Sequence, residues 1–336
     1  MTAEAVAQLA VTHTVEAIAN VQEASGRIPW VPGGKADPWN MVEAAMALDA
    51  GGRHADARRA LQWLVDQQLP HGGWYSYYST DGVIDRTLDT NISSYIAVGA
   101  WQHFLATGDE EFLKVLWPTI DRAIDHVVSQ QFAWGGIAWR ADDPADGALL
   151  TGSSSVHLSL RCAIAVAERL GHTRAEWDVA LVLLADAITT RPHEFLDKSR
   201  WAMDWYYPVL GGVLTGTQAR ARIDAGWSEF VVDGLGVRCV SDRPWITAAE
   251  TCELVMALTV IGDRERASEL FSWVQFLRHE DGSYWCGMNF EGERFEAPGQ
   301  YFTADQPTWN SAAVVLAAHV LAGDSPTAQL FTVRTA

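Results

Sequence analysis

The chain holds sixteen tryptophans among its 336 residues, and many stand beside Gly, Pro, Asp or Asn rather than inside apolar helical runs. Trp30, Trp39, Trp74, Tyr75, Trp139, Trp205, Tyr206, Trp245, Trp285 and Trp309 cluster in or next to such stretches. Aromatics in loops face ligands more often than aromatics on a helix face. Two chemistries would use them: sugars stack on flat rings, and carbocations are stabilised by π-faces. The polar residues of the same loops separate the two. They are Lys35, Asp37, Asp85, Arg86, Asp89, Asn91, Arg140, Asp204, Arg238, Asp242, Arg243 and Glu250. A carbocation pocket keeps its walls apolar, whereas a polyhydroxylated ligand needs many paired donors and acceptors. The balance favours a saccharide over an isoprenoid.

Other side chains carry a structural reading beside the chemical one. Arg86 and Arg243 stand near predicted helix starts, where a cation and the helix dipole would hold an anionic group; the alternative is a salt bridge to Asp89 or Asp242. His157 and His319 lie on otherwise apolar helices and read as satisfied core histidines. Glu43 and Glu253 occupy equivalent places in two helices, a repetition that points to a structural role.

These residues are positioned by a repeat. Shifted by 210 residues, segment 43–72 matches 253–282 without a gap: Glu43, Met46, Ala47, Leu48, Gly52, Ala57, Trp63 and Gly72 fall on Glu253, Met256, Ala257, Leu258, Gly262, Ala267, Trp273 and Gly282. A shift of 63 sets Ala60, Gln67, Gln68, Gly72 and Gly73 on Ala123, Gln130, Gln131, Gly135 and Gly136. Weaker copies, including a degenerate one at 201–212, complete six units of about 55 residues. Each unit alternates two helices. One follows the glycine-aromatic loop, opens on a cap such as Asp37-Pro38, Asp89-Thr90 or Asp305-Gln306-Pro307, and is apolar on most faces. The other has a charged face. The pattern predicts an all-α fold, a single (α/α)6 toroid over residues 1–336, with every glycine-aromatic loop on one rim around the inner helix N-termini.

Two families resemble the chain. The "A..WL..Q....GGW" pattern at 57–74 is similar to the QW-type repeats of prenyltransferase and terpene-cyclase toroids. The stretch "GGIAWRADDPADGALLTGSSSVHLSLRCAIAVAERLG" (135–171), with "GERF" (292–295) before "QPTWNSAAVVLAA" (306–318), resembles the six-hairpin, glucoamylase-like glycosidases. Against the first family stand the missing DxDD motif and the incomplete zinc set around Cys252. The second places a Glu after the Trp of its third loop, where this chain has Arg140-Ala141-Asp142-Asp143. That resemblance implies an inverting glycoside hydrolase in which Asp142 or Asp143 protonates the leaving oxygen and Glu293 activates water. A solvated turn is the plainer reading of Asp142-Asp143-Pro144. A non-catalytic carbohydrate-binding toroid is the remaining alternative.

Composition bounds the rest. The chain is 49% hydrophobic and carries a formal net charge of −18, with no Lys/Arg-rich run. That charge argues against a nucleic-acid partner. No apolar run is long enough for a membrane span, and the N-terminal segment lacks the pattern of a secretion signal. The four cysteines (Cys162, Cys239, Cys252 and Cys286) are too scattered for a disulfide scaffold or a CxxC zinc site. A cytoplasmic, metal-independent protein with no cofactor and a small-molecule substrate is the expectation.

Overall fold

The computed structural model describes residues 3–297 and 304–332. Helices dominate, in two concentric rings. In chain order they are α1 (Ala3–Val21), α2 (Pro38–Ala50), α3 (His54–Gln67), α4 (Thr90–Ser94), α5 (Ile96–Thr107), α6 (Glu110–Val128), α7 (Leu150–Arg169), α8 (Ala175–Thr190), α9 (Ala202–Leu210), α10 (Gly216–Phe230), α11 (Ala248–Val260), α12 (Arg264–Trp273), α13 (Thr308–Ala322) and α14 (Pro326–Thr332). The inner ring runs α2, α5, α7, α9, α11, α13, and α13 packs back on α2 to close it. Helices α1, α3, α6, α8, α10 and α12 lie outside. The expected all-α toroid is what the chain forms.

Hydrophobic pattern explains the sorting. Helix α6 buries Phe112, Leu113, Leu116, Thr119, Ile120, Ala123, Ile124 and Val127, a stripe at helical spacing with charge on the opposite face. Each large apolar side chain so buried contributes about 1.5–3 kcal/mol, far more than helix propensity. Helix α13, by contrast, buries residues on nearly every side over Thr308–Ala317. An outer helix needs one apolar stripe; an inner helix needs apolar faces all round.

The repeated Gln and Gly residues form the joint between neighbouring outer helices. The Gln68 amide donates to the carbonyls of Gly72 and Thr119, both at 2.8 Å. Gln131 donates in the same way to Gly135 at 2.8 Å and Ala180 at 3.0 Å. Gln22 does so to Gly26 and Asp56, both at 3.0 Å. Each glutamine thus ties its own turn to the next outer helix. The glycine of the turn has a left-handed backbone, φ 103° at Gly72 and 104° at Gly135. A Cβ at Gly72 would run into the carbonyl of Arg122, and one at Gly135 into that of Leu183. Only glycine lets the two backbones approach.

The turns out of the outer helices gather at one end, around the N-termini of the inner helices. There β1 (Tyr77–Ser79) and β2 (Gly82–Asp85) make an antiparallel hairpin. Strands β3 (Val231–Val232), β4 (Gly236–Arg238), β5 (Trp245–Thr247) and β6 (Gly287–Asn289) form an antiparallel sheet in that order. It ties the loops before α11 and α13 together. No helix among the described residues is long and apolar enough to cross a membrane.

Candidate active site

The mouth of the toroid is built on the first turns of the inner helices. Asp37 caps α2, accepting from the backbone N–H of Asn40 at 2.9 Å. Its other oxygen accepts from Trp30 Nε1 at 2.7 Å and Asn40 Nδ2 at 2.6 Å. The side chain is buried, and burial raises its proton affinity in spite of those donors. Trp30 meets Tyr77 and Trp309 edge to face, at 5.9 and 5.7 Å. The Lys35 ammonium lies 4.0 Å from the Trp30 ring centre and 3.9 Å from that of Tyr77. Aromatic, cationic and acidic groups therefore converge on the start of α2.

Asp89 repeats the device on α4. It accepts from Ile92 N–H at 3.0 Å and from Trp139 Nε1 at 2.7 Å. Burial pushes its carboxyl up to about 6. On α9, Asp204 accepts from the Thr151 hydroxyl of α7 at 2.6 Å, and burial raises it too. On α11, the Thr247 hydroxyl donates to Glu250 three residues on, and the Cys239 thiol bonds to the same carboxylate. Among the described residues, Oδ1 of Asn91 and Nε1 of Trp309 at the mouth are buried polar atoms without a hydrogen-bond partner. Buried atoms of that kind are ordinarily satisfied, and a polar ligand would satisfy them.

One turn deeper, the equivalent residues Glu43 and Glu253 stand near one another in the centre of the ring. Tyr206 and Tyr207 both donate to Glu253, the latter at 2.7 Å, and Tyr95 bonds to Glu43. Burial first, then the neighbouring carboxylates, lift Glu43 well above the ordinary carboxylate range and Glu253 to about 8. Glu253 also feels Glu250, and Glu43 feels Asp37. A chain of coupled carboxyl groups thus runs from the start of α2 through the ring centre to the start of α11. Like charges in so dry a site favour keeping protons bound.

The residues expected from the sequence divide. Trp30, Asp37, Trp39, Asp89, Asn91, Trp139, Asp204, Glu250 and Trp309 sit at the mouth or in the first turns beneath it; Trp39 stacks on Tyr95 at 4.9 Å. Others are packing residues. Trp74 is buried with its indole N–H on the Leu64 carbonyl at 2.8 Å. Trp205 stacks on Phe230 at 5.3 Å and donates to the Arg222 carbonyl. Trp245 is buried within β5, and Tyr206 is turned inward to Glu253. Tyr75 is half-buried and accepts from exposed Arg86 at 3.0 Å, so Arg86 does not pair with Asp89. Arg243 is exposed, and Asp242 pairs with Arg200 instead, at 2.6 Å. Trp285 stacks on Phe295 at 4.4 Å.

The three acids named on resemblance are all exposed. Asp142 bonds to Arg140 at 2.8 Å and accepts from Leu88 N–H at 2.9 Å. Burial works to raise it, but the Arg140 and Leu88 hydrogen bonds outweigh burial and leave it below the ordinary carboxylate range. That suits an ion pair and not a proton donor. Arg140 itself is held between Asp142 and Asp146. Asp143 precedes a turn at Pro144–Asp146, and Glu293 is in the loop before the undescribed segment 298–303. Sequence reasoning passed over Tyr95, Tyr207, Thr151 and Thr247. The Thr247-to-Glu250 spacing was a readable signal, since Ser/Thr followed three residues later by Glu marks a helix start; the tyrosines have none.

No known family profile matches the chain. It is 47% identical over 317 residues, 94% of its length and 86% of the relative's, to the MMP endo-(1,4)-3-O-methyl-alpha-D-mannosidase of Mycolicibacterium hassiacum. The chain belongs to this mannosidase family. It is a glycoside hydrolase. Solved structures share its fold at low identity: a glycosidase variant in complex with glucose (16% identical, TM-score 0.76, covering 96% of this chain and 99% of that one). A GH63 mannosylglycerate hydrolase of Thermus thermophilus follows at 11% identity and TM-score 0.70, covering 90% and 98%. The hydrolase family accords with the polar mouth, and packing accounts for the QW-like pattern: Trp63 stands edge to face on Tyr78 at 5.2 Å, and Gln68 is a helix clamp.

Proposed function

We propose that this hydrolase cleaves chains of α-(1,4)-linked 3-O-methyl-mannose from within, with inversion, using Asp37 as acid and Glu250 as base. The substrate class is taken from the 47% identical relative. Placement in the ring supports the acid pair. Asp37 and Glu250 open α2 and α11, the two inner helices that flank α13 and its Trp309. Neighbouring helices pack about 8–10 Å apart, so acids on helices with a third between them leave room for a water. Inversion needs such room, with carboxyl groups about 6.5–9.5 Å apart, whereas retention needs about 5–5.5 Å.

In this reading Asp37, whose burial favours the protonated form, gives its proton to the glycosidic oxygen as the bond to the anomeric carbon breaks. Glu250 takes a proton from the water whose oxygen attacks that carbon from the opposite face. Proton exchange with solvent resets both groups. Asp89, Asn91 and Trp139 hold hydroxyls, and Trp30 and Trp309 carry the ring faces. Asp142, Asp143 and Glu293 take no part. The test is hydrolysis of 3-O-methyl-mannose oligosaccharides followed by proton NMR of the first-formed anomer, with Asp37→Asn and Glu250→Gln beside the parent. First-formed β-anomer and inactive variants support the reading; an uncleaved substrate, an α-product or two active variants overturn it.

A further inference from the structure

A second concavity lies on the same end of the toroid, outboard of the mouth. It has a volume of about 460 Å³ and is walled by the start of α7, the first turn of α9, the last turns of α10 and the loop at 192–199. This is within the range of ligand pockets, about 300–1,000 Å³. Its inner side is the Asp204–Thr151 pair, which joins the first turns of two inner helices. Asp204 is only 6% exposed, with Oδ1 taken by Thr151 and Oδ2 bonded to nothing among the described residues. The walls beside it are apolar: Leu150, Phe195 and Phe230.

The walls are also fixed before any ligand arrives. Trp205 is stacked on Phe230, and Arg222 donates at 3.1 Å to the Trp205 carbonyl and at 2.8 Å to that of Asp204. A preformed pocket avoids ordering costs on binding. Its chemistry excludes most ligands. The acids Asp204, Asp197 and Glu229 outnumber the cations Lys198 and Arg222, and Arg222 is already held by backbone carbonyls, which disfavours an anion; a purely apolar ligand would leave a buried carboxylate unanswered. A neutral sugar bearing hydroxyls and one methyl ether answers both surfaces.

We propose that this pocket is a distal subsite that holds one 3-O-methyl-mannose unit of the chain away from the bond being cut, its hydroxyl on Asp204 and its methyl against Leu150 and Phe195. The proposal rests on the substrate reading above. An enzyme that cuts within a chain gains from such a hold beyond the cleavage point, because contacts to a remote unit bind substrate and transition state alike and so lower KM. The pocket accounts for a raised, deeply buried carboxyl that the hydrolytic pair does not use.

The experiment compares kcat/KM on a long and a short 3-O-methyl-mannose oligosaccharide for the parent, Ala225→Trp, which fills the pocket, and Asp204→Asn, with thermal melts for folding. The expected result is a long-over-short ratio reduced about tenfold in both, the scale of one apolar pocket contact. A fall through KM and not kcat supports a holding role. If Ala225→Trp does not fold, Asp204→Asn decides. A parent that cleaves both chains, with the ratio unmoved in folded variants, overturns the subsite alone. A parent that cleaves neither overturns the substrate reading and the subsite with it.

Discussion

Where one outer helix meets the next, the chain uses one device three times: Gln22 with Gly26, Gln68 with Gly72 and Gln131 with Gly135 each bind the backbone of the following helix. At the mouth the equivalent positions diverge. The residues that open the inner helices are Asp37, Asp89 (which caps the short α4 leading into α5), Leu149, Trp201, Thr247 and Pro307. A ring of like hairpins has like joints, so the seam repeats. A bound saccharide has no such symmetry, so the mouth cannot repeat and still recognise it. Repetition marks what holds the ring, and its loss marks what acts on a ligand.

The comparison is broken most sharply from the mouth. Asp37→Asn and Glu250→Gln should each lower kcat by about 10²–10⁴-fold, the range of general acid–base contributions. Melting temperature should hold or rise, because each change removes a buried carboxyl. Asp89→Asn is the internal control. It has the same cap geometry as Asp37, yet it faces the Trp139 loop and not Trp309, so its loss should act mainly on KM. Equal collapse of kcat in Asp37→Asn and Asp89→Asn would mean that cap geometry, and not place in the ring, selects the acid.

The seam should respond in the opposite way. Gly72→Ala forces a side chain into a left-handed backbone and against the Arg122 carbonyl. It should cost about 3 kcal/mol or more in denaturant unfolding. Gln131→Ala leaves the carbonyls of Gly135 and Ala180 without their shared donor. The loss should be smaller, about 1–3 kcal/mol. In both, kcat of the folded enzyme should match the parent. A seam substitution that spared stability but lowered kcat would dissolve the division.

The same contrast decides what could be read in advance. The toroid was legible because repetition writes the seam into the sequence, as in Gly72, Gly135 and Gly282. Asp37, Asp89 and Glu250 were legible as polar residues at helix starts. Which tryptophans pack and which face ligand was not. Trp74 and Trp139 both follow a repeated glycine pair. Yet Trp74 turns inward to Leu64 and Trp139 to Asp89 at the mouth, and a neighbour distant in sequence decides each case. The acids that the motif resemblance implies, Asp142, Asp143 and Glu293, are exposed in the fold. Asp142 finds a guanidinium two residues away at Arg140, and a local ion pair forms wherever the backbone permits. Burial separates Asp37 from Asp142, and burial is a property of the closed ring.

The smallest effect joins the two regions. Glu43 and Glu253 are repeat-equivalent like the seam, yet they lie beneath the mouth. Glu253 moves from an ordinary 4.5 up to about 8 in the fold, through burial first and then Glu250. A carboxyl raised on folding binds its proton more tightly in the native state. Its stabilisation is complete below the unfolded value and is lost as pH rises through the folded one. Between pH 4.5 and 8 the melting temperature should therefore fall as pH rises. Glu253→Gln, neutral at every pH and still able to accept from Tyr206 and Tyr207, should flatten that slope. The variant should also move the alkaline limb of the pH–rate profile, where the acid Asp37 loses its proton, because the charge that reaches Asp37 through Glu43 is gone. A flattened melting profile with an unmoved rate profile would assign the buried pair to the ring alone; movement of both means that the deepest repeated residues tune the mouth.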